Sequence, residues 1–319
     1  MSLAICLLVY ATVVCVVSPR LLPRLTGLGS TPTAAVAAWL VALASVVASW
    51  VGAAIALTAE LVRTWDRPAS SILGACLAAV RTAGSGHYGF AAQIGVATFA
   101  VALSGFLMAV AVRIARALAR ARKISAEHAR SAHIVGRRVP GVDGVVIDAP
   151  EKAAYCVAGR PGTVVVTSAA VAALDVDHLE AVLAHERAHL DGRHHLVLAV
   201  TRALANVLPR LQLFGVARNE VAQLLEMCAD DRAARRHGRT TVLSAIVRLS
   251  DAPVPRRALG ASSVGISARI RRLDGPVSAV ELMRSRLLLS VFAAVVGASP
   301  FLAASGAVYG LAICMPLTS

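Results

Sequence analysis

Lysine is almost missing from these 319 residues: it occurs only at Lys123 and Lys152, so nearly all of the 32 basic side chains are arginine. Acidic side chains are scarce too, 18 against that basic excess, which leaves a net charge of +14. Such an excess would suit nucleic acid. Aromatics, however, are only 4% of the chain, and the arginines spread from Arg113 to Arg286 rather than forming one stripe interleaved with stacking rings. Direct nucleic-acid binding is therefore not expected. Cysteine is sparse as well. Cys6, Cys15, Cys76, Cys156, Cys228 and Cys314 form no C-x-x-C pair, which excludes a zinc ribbon and leaves them as small hydrophobes.

Charge is absent altogether from three long stretches: Thr33 to Ala59, Thr82 to Val112, and everything after Arg286. With 57% hydrophobic residues, this excludes an ordinary soluble domain. A membrane span needs about 20 mostly apolar residues. The expected spans are residues 3–18, 33–59 and 88–112, with a fourth beginning at 287. The first has no charged segment before it and no A-x-A-like site after it, so it reads as a retained anchor rather than a signal peptide. The cluster Arg113, Arg116, Arg120, Arg122, Lys123 and Arg130 dominates the loop charges and predicts a cytoplasmic loop over 113–286, with the N-terminus outside. Cys76 and Cys314 then fall toward the outer face, where a disulfide between them is compatible with the topology. The Ala/Arg/Val bias reads as GC-rich coding, hence a bacterial plasma membrane. The domain division is 1–112, 113–286 and 287–319.

The long loop is large enough for one compact core. Ala153 to Ala158 is a short apolar run followed by Gly159-Arg160-Pro161-Gly162, and Thr163 to Thr167 (TVVVT) then predicts the second strand of a hairpin, with Ser168 capping a helix after it. Asp177-His178-Leu179-Glu180 has capping-box spacing, and Leu179, Val182, Leu183 and Leu190 recur on one helical face. That helix carries His185-Glu186-x-x-His189. Two histidines four residues apart project from the same side and can share one Zn2+. Glu186 lies beside them, where a carboxylate can take a proton from an activated water and return it to a leaving amine.

Two third ligands compete. The run HERAHLDGRHH also spells H-E-x-x-H-x-x-G-x-x-H, in which His195 would bind the metal after a chain reversal near Gly192. The following HLVLAVTRALANVL instead looks like continuing helix, and Met227 lies in a run without turn residues, so no Met-turn is evident. In LLEMCADDRAARR, Glu226 can complete a His-His-Glu set and Asp230, four residues on, can hydrogen-bond a ligand imidazole. Helix geometry favours Glu226.

The arrangement PEKAAYCVAGRPGTVVVTSAAVAAL, DHLEAVLAHERAHLDGRHHL and EMCADDRAA, with three spans before it and one after, resembles the BlaR/MecR-type antirepressor membrane zinc metallopeptidases, which are gluzincins. The resemblance covers about Pro150 to Arg236 in motif detail. It implies a mainly α membrane protein with four transmembrane helices and a cytoplasmic α+β gluzincin-type zinc peptidase domain between helices 3 and 4. It also implies zinc on His185, His189 and Glu226, Glu186 as base, and cleavage of a cytoplasmic transcriptional repressor. The sensor members carry a penicillin-binding domain with an acylatable S-x-x-K; no S-x-x-K occurs here, so β-lactam sensing by that chemistry is not expected. The trigger then falls to the spans and their lipid, the outer loop from Glu60 to His87, a separate sensor subunit or a second copy of the chain.

Other features have plainer readings. The Tyr155 strand is either an edge for substrate capture or a hairpin core strand. His128, His133, His178, His194 and His195 read as exposed polar residues, and His237 as a surface histidine at a helix end. Cys228 reads as a packed thiol, Ala252 to Pro276 as a loop and site of self-cleavage, and Leu196 to Val216 as a peptidase helix near the membrane surface. The alternatives to the antirepressor are a housekeeping peptidase of damaged membrane proteins and a scaffold with structural zinc. A structural site needs no base, so Glu186 weighs against the scaffold.

Overall fold

A computed structural model of the chain describes residues 3–27, 29–64, 89–139, 144–159, 162–250, 262–275 and 278–313. In chain order, helices α1 (Leu3–Thr26), α2 (Pro32–Thr64) and α3 (Gly89–Val135) precede strands β1 (Val145–Ile147), β2 (Ala154–Val157) and β3 (Thr163–Thr167). Then follow α4 (Ser168–Ala173), α5 (Val176–Asp191), α6 (His194–Val207), α7 (Gln212–His237), α8 (Arg239–Ser250), α9 (Ser262–Asp274) and α10 (Ala279–Ile313). Cys76 and Cys314, most of the outer loop, and residues 252–261 lie outside the described residues.

Two compact units result. The first gathers residues 1–21, 40–113 and 290–319. Among the described residues, four helices contain stretches long and apolar enough to cross a membrane, Leu3–Thr26, Pro32–Ala59, Ala97–Val135 and Ala279–Ala303, the pattern of a multi-pass membrane protein. Helix is the form that satisfies every backbone N–H and C=O without water. Small residues let these helices approach: Ala4, Leu7 and Ala53 form a buried cluster against Leu57, Leu103 and Ala303. Tyr10 Oη donates to the Val296 carbonyl at 2.5 Å, tying α1 to α10. The third helix does not stop near Val112 but continues through the arginine-rich stretch to Val135, since alanine and arginine are both strong helix formers.

The second unit, residues 22–39 and 114–289, carries the mixed three-stranded sheet in the order β1-β3-β2. Central β3 is buried along its whole length, as its TVVVT sequence demands. β2 runs antiparallel to it, with Ala154 opposite Val166 and Val157 opposite Thr163. β1 pairs with it in parallel, Val145 opposite Val165. Thus β2, with Tyr155 exposed, is an edge strand. Val164, Val166 and Ala170 pack on Leu183 of α5, which fixes the sheet against the helix bearing the histidines.

Helix starts differ in detail from the sequence reading. Thr167, not Ser168, caps α4, its Oγ1 accepting from Ala170 N at 3.2 Å. The hydroxyl of Ser168 turns instead to Asp148 Oδ1 at 2.7 Å. Asp175, two residues before the expected box, caps α5 through His178 N at 3.0 Å. Ala252 to Pro276 is not all loop: α9 occupies its second half, with Ile266, Ile270 and Leu273 at helical spacing and Leu273 buried.

Candidate metal centre

Helix α5 sets His185 and His189 one turn apart, and α7 lies against it with Glu226 facing both. His189 Nε2 and His185 Nε2 are 3.2 Å apart, and each is 3.5 Å from a Glu226 carboxylate oxygen. A tetrahedral Zn2+ with bonds of about 2.0–2.1 Å requires neighbouring ligand atoms about 3.3 Å apart. The three donors match that edge length, and among the described residues they form a group able to hold one ion. Both histidine side chains are 11% exposed while Glu226 keeps 39%, so the donor set opens to one side.

The outer atoms of both imidazoles are engaged. His185 Nδ1 donates to Asp230 Oδ1 at 3.0 Å, which leaves the Nε2 lone pair for the metal. His189 Nδ1 lies 2.8 Å from Nδ1 of His194, which is buried, not exposed as the sequence suggested. The chain does break after α5, as the His195 alternative required: Gly192 ends the helix and Arg193 adopts φ 50°. The break nevertheless turns His195 outward and lays His194 against His189. Gly192 has a local reason, because a Cβ there would overlap the His194 ring.

Asp230 is fully buried and bound from its other side by Arg269, Nε to Oδ2 at 2.7 Å and Nη2 to Oδ1 at 2.6 Å. Arg269 Nη1 also reaches Glu226 Oε2 at 3.2 Å. Burial disfavours the charged carboxylates of Glu226 and Asp230, but His185 and Arg269 outweigh it and hold both well below the usual range. Burial also opposes the His185 cation; Asp230 and Glu226 overcome it and raise that pKa to about 10, whereas burial lowers His189 to about 4. The two Nε2 atoms lie 3.2 Å apart, and a metal ion bound there would displace a proton from His185.

Burial raises Glu186 to about 7, and its carboxylate accepts hydrogen bonds from the Cys156 backbone N–H and thiol on edge strand β2. A carboxyl poised near neutrality can accept and return a proton at cellular pH. Burial, together with Glu186, pushes the Cys156 thiol up to about 12.

The remaining candidates fall elsewhere. His237 Nδ1 is 3.9 Å from Glu180 Oε2. His128 is exposed, His133 Nε2 meets Thr163 Oγ1 at 2.8 Å, and Cys228 Sγ sits 3.7 Å from Thr33 Oγ1. Sequence reasoning missed Arg269 and His194. For Arg269 the available signal was the Ile266, Ile270, Leu273 spacing that makes α9 a helix.

No curated protein and no solved structure matches the chain. Residues 115–250 match Peptidase family M48, which supports a metal-dependent peptidase of the M48 type.

Proposed function

We propose that the chain is an integral membrane zinc-dependent endopeptidase whose catalytic domain faces the cytoplasm. The observation that carries this reading is the convergence of His185 Nε2, His189 Nε2 and the Glu226 carboxylate beside Glu186. A zinc ion held by these three residues supplies Lewis acidity toward a carbonyl and lowers the pKa of water. Asp230 and His194 hold the imidazoles in the tautomers that point Nε2 inward. Glu186 takes the proton of the attacking water and delivers it to the leaving amine. One side of edge strand β2 is unpaired by β3, and an extended substrate that takes over the Cys156 N–H from Glu186 would pair there, laying a scissile bond beside Glu186.

Within that activity we place the chain as a signalling antirepressor that cleaves a cytoplasmic transcriptional repressor, and itself between Ala252 and Pro276. The support is the run of motifs from Pro150 to Arg236 between three spans and a fourth. A second reading, degradation of damaged membrane proteins, is favoured by the edge strand: main-chain pairing is blind to side chains and gives breadth. The test is Glu186→Ala in cells. Under the first reading it stabilises one repressor; under the second, many membrane proteins accumulate. Unchanged proteolysis in the variant would remove the endopeptidase reading itself.

A further inference from the structure

Helix α9 carries two arginines three residues apart, hence on one face. Arg269 grips the Asp230 and Glu226 carboxylates at the metal centre. Arg272, 9% exposed, binds both oxygens of Asp231 at 2.6 and 2.7 Å through Nη2, and its Nε donates to the carbonyl of Gly29 at 2.6 Å. Gly29 belongs to the connection between α1 and α2, whose residues 22–39 share a compact unit with the site.

The connection is closely seated. Gly29 N donates to Thr26 O at 2.8 Å, and Gly29 has φ 55°, the left-handed region. A Cβ on it would come within 2.5 Å of Met227 Sδ, the residue after the Glu226 ligand, and 3.3 Å of Arg272 Cδ. Thr31 Oγ1 lies 3.0 Å from Ser285 Oγ. Besides Arg272, α9 is held by Leu273, buried among Ala181, Ala184, Ala233 and Val242, and at its C-terminal end, where Arg239 of α8 donates to the carbonyls of Leu273 at 3.1 Å and Gly275 at 2.9 Å. That cap fixes one end of the helix. Arg272, one turn beyond Arg269 on the same face, adds to that packing a tie to Asp231 of α7 and to the Gly29 carbonyl, which secures the face that presents Arg269 to the carboxylates.

We propose that Arg269 is a positioning residue for the metal ligands and that Arg272 ties its helix to the α1–α2 connection, making that connection a control point for metal affinity. A change at the first two membrane helices that withdraws the Gly29 carbonyl releases Arg272. α9 then loses its setting, Arg269 leaves Glu226 and Asp230, and the carboxylates no longer hold the geometry a metal needs. This inference rests on the metal-centre reading and adds to it a place where a signal from the membrane would enter.

The experiment uses the full-length protein in detergent, with zinc affinity measured by chelator competition and the absorption bands of bound Co2+ as a report on ligand geometry. Arg269→Gln should weaken zinc by about 10–100-fold, as loss of a group supporting metal ligands does. Arg272→Gln and Gly29→Ala, neither of which touches a ligand, should weaken it by about tenfold, the lower end of that range, and shift the Co2+ bands. Arg248→Gln, which removes an exposed 3.4 Å pair with Asp175 from α8, should leave both readouts unchanged. Wild-type affinity and spectrum in Arg272→Gln and Gly29→Ala overturn the coupling. Should Arg272→Gln fail to fold, Arg272→Lys decides, since it keeps the charge but loses the fork that joins Asp231 to the Gly29 carbonyl. A wild-type protein that binds no zinc sinks the metal-centre reading instead, so the two failures are distinguishable.

Discussion

Asp230→Asn tests the electrostatics of the site in a way that ligand deletion cannot. Asp230 is fully buried and accepts on two sides, from Arg269 at 2.6 and 2.7 Å and from His185 Nδ1 at 3.0 Å. Oδ1 accepts from both His185 Nδ1 and Arg269 Nη2, and Oδ2 from Arg269 Nε, whereas asparagine has one carbonyl oxygen and one NH2 and cannot replace both. With its oxygen in the Oδ2 place, the NH2 faces His185 Nδ1 and Arg269 Nη2 and drives the His185 proton to Nε2, the atom needed for the metal. With its oxygen in the Oδ1 place, the NH2 confronts the buried Arg269 Nε. Zinc affinity should fall about 10–100-fold, or about 1.4–2.7 kcal/mol. The metal-free protein should also lose about 3 kcal/mol of stability, the low end for breaking a buried pair while one charge remains. Adding Arg269→Gln removes the stranded charge, so the double variant should be more stable than the sum of the two losses by at least about 1 kcal/mol. Urea unfolding of the four metal-free proteins and chelator competition on the loaded ones measure both quantities. Strict additivity in unfolding, or undiminished zinc affinity in Asp230→Asn, refutes the reasoning.

Zinc content should separate the two candidate third ligands: Glu226→Gln loses the metal and His195→Gln, altering an exposed residue, keeps it. The reverse result would replace the ligand set. Gly192→Ala should press on the His194 ring and weaken zinc by about tenfold while leaving Glu186 in place, measured by the same competition; an unchanged affinity would deny His194 its supporting role. For acid sensitivity, Asp175 accepts from His178 N, which holds its carboxyl below the ordinary value of 3.8. Its contribution is therefore complete above 3.8 and lost as pH falls through the lower folded value. Asp175→Ala should lower the melting temperature at neutral pH, with the gap from wild type closing below pH 3.8; a gap constant with pH would show that the carboxylate's charge is irrelevant.

The sequence exposed what local pattern encodes. TVVVT after Gly159-Arg160-Pro161-Gly162 announces a buried strand, and four apolar positions on one face announce α5, so the element bearing His185, Glu186 and His189 was legible. Glu226 was legible because its spacing to Asp230 makes sense only on a helix. The cap of α5 was misread by two residues because Asp175 and Asp177 are chemically alike, and only the geometry of His178 N distinguishes them. β1 escaped because three residues carry no period of their own and are defined by a parallel partner twenty positions away, Val145 with Val165.

The outer part of the centre was illegible for a different reason. His194 and His195 are adjacent and identical, and which one faces His189 depends on Arg193 at φ 50°, a setting arginine does not advertise. Arg269 lies 39 positions beyond Asp230, past a proline-rich stretch that disguises the helix start, so no spacing rule joins them. His185, His189 and Glu226 lie on patterned helices and therefore leave a period in the sequence. The groups that orient them need only arrive at the right place, from any element, and leave none. Hence the candidate ligands could be named by counting along the chain, whereas the arginines that link them to the α1–α2 connection emerge only when distant residues are placed side by side.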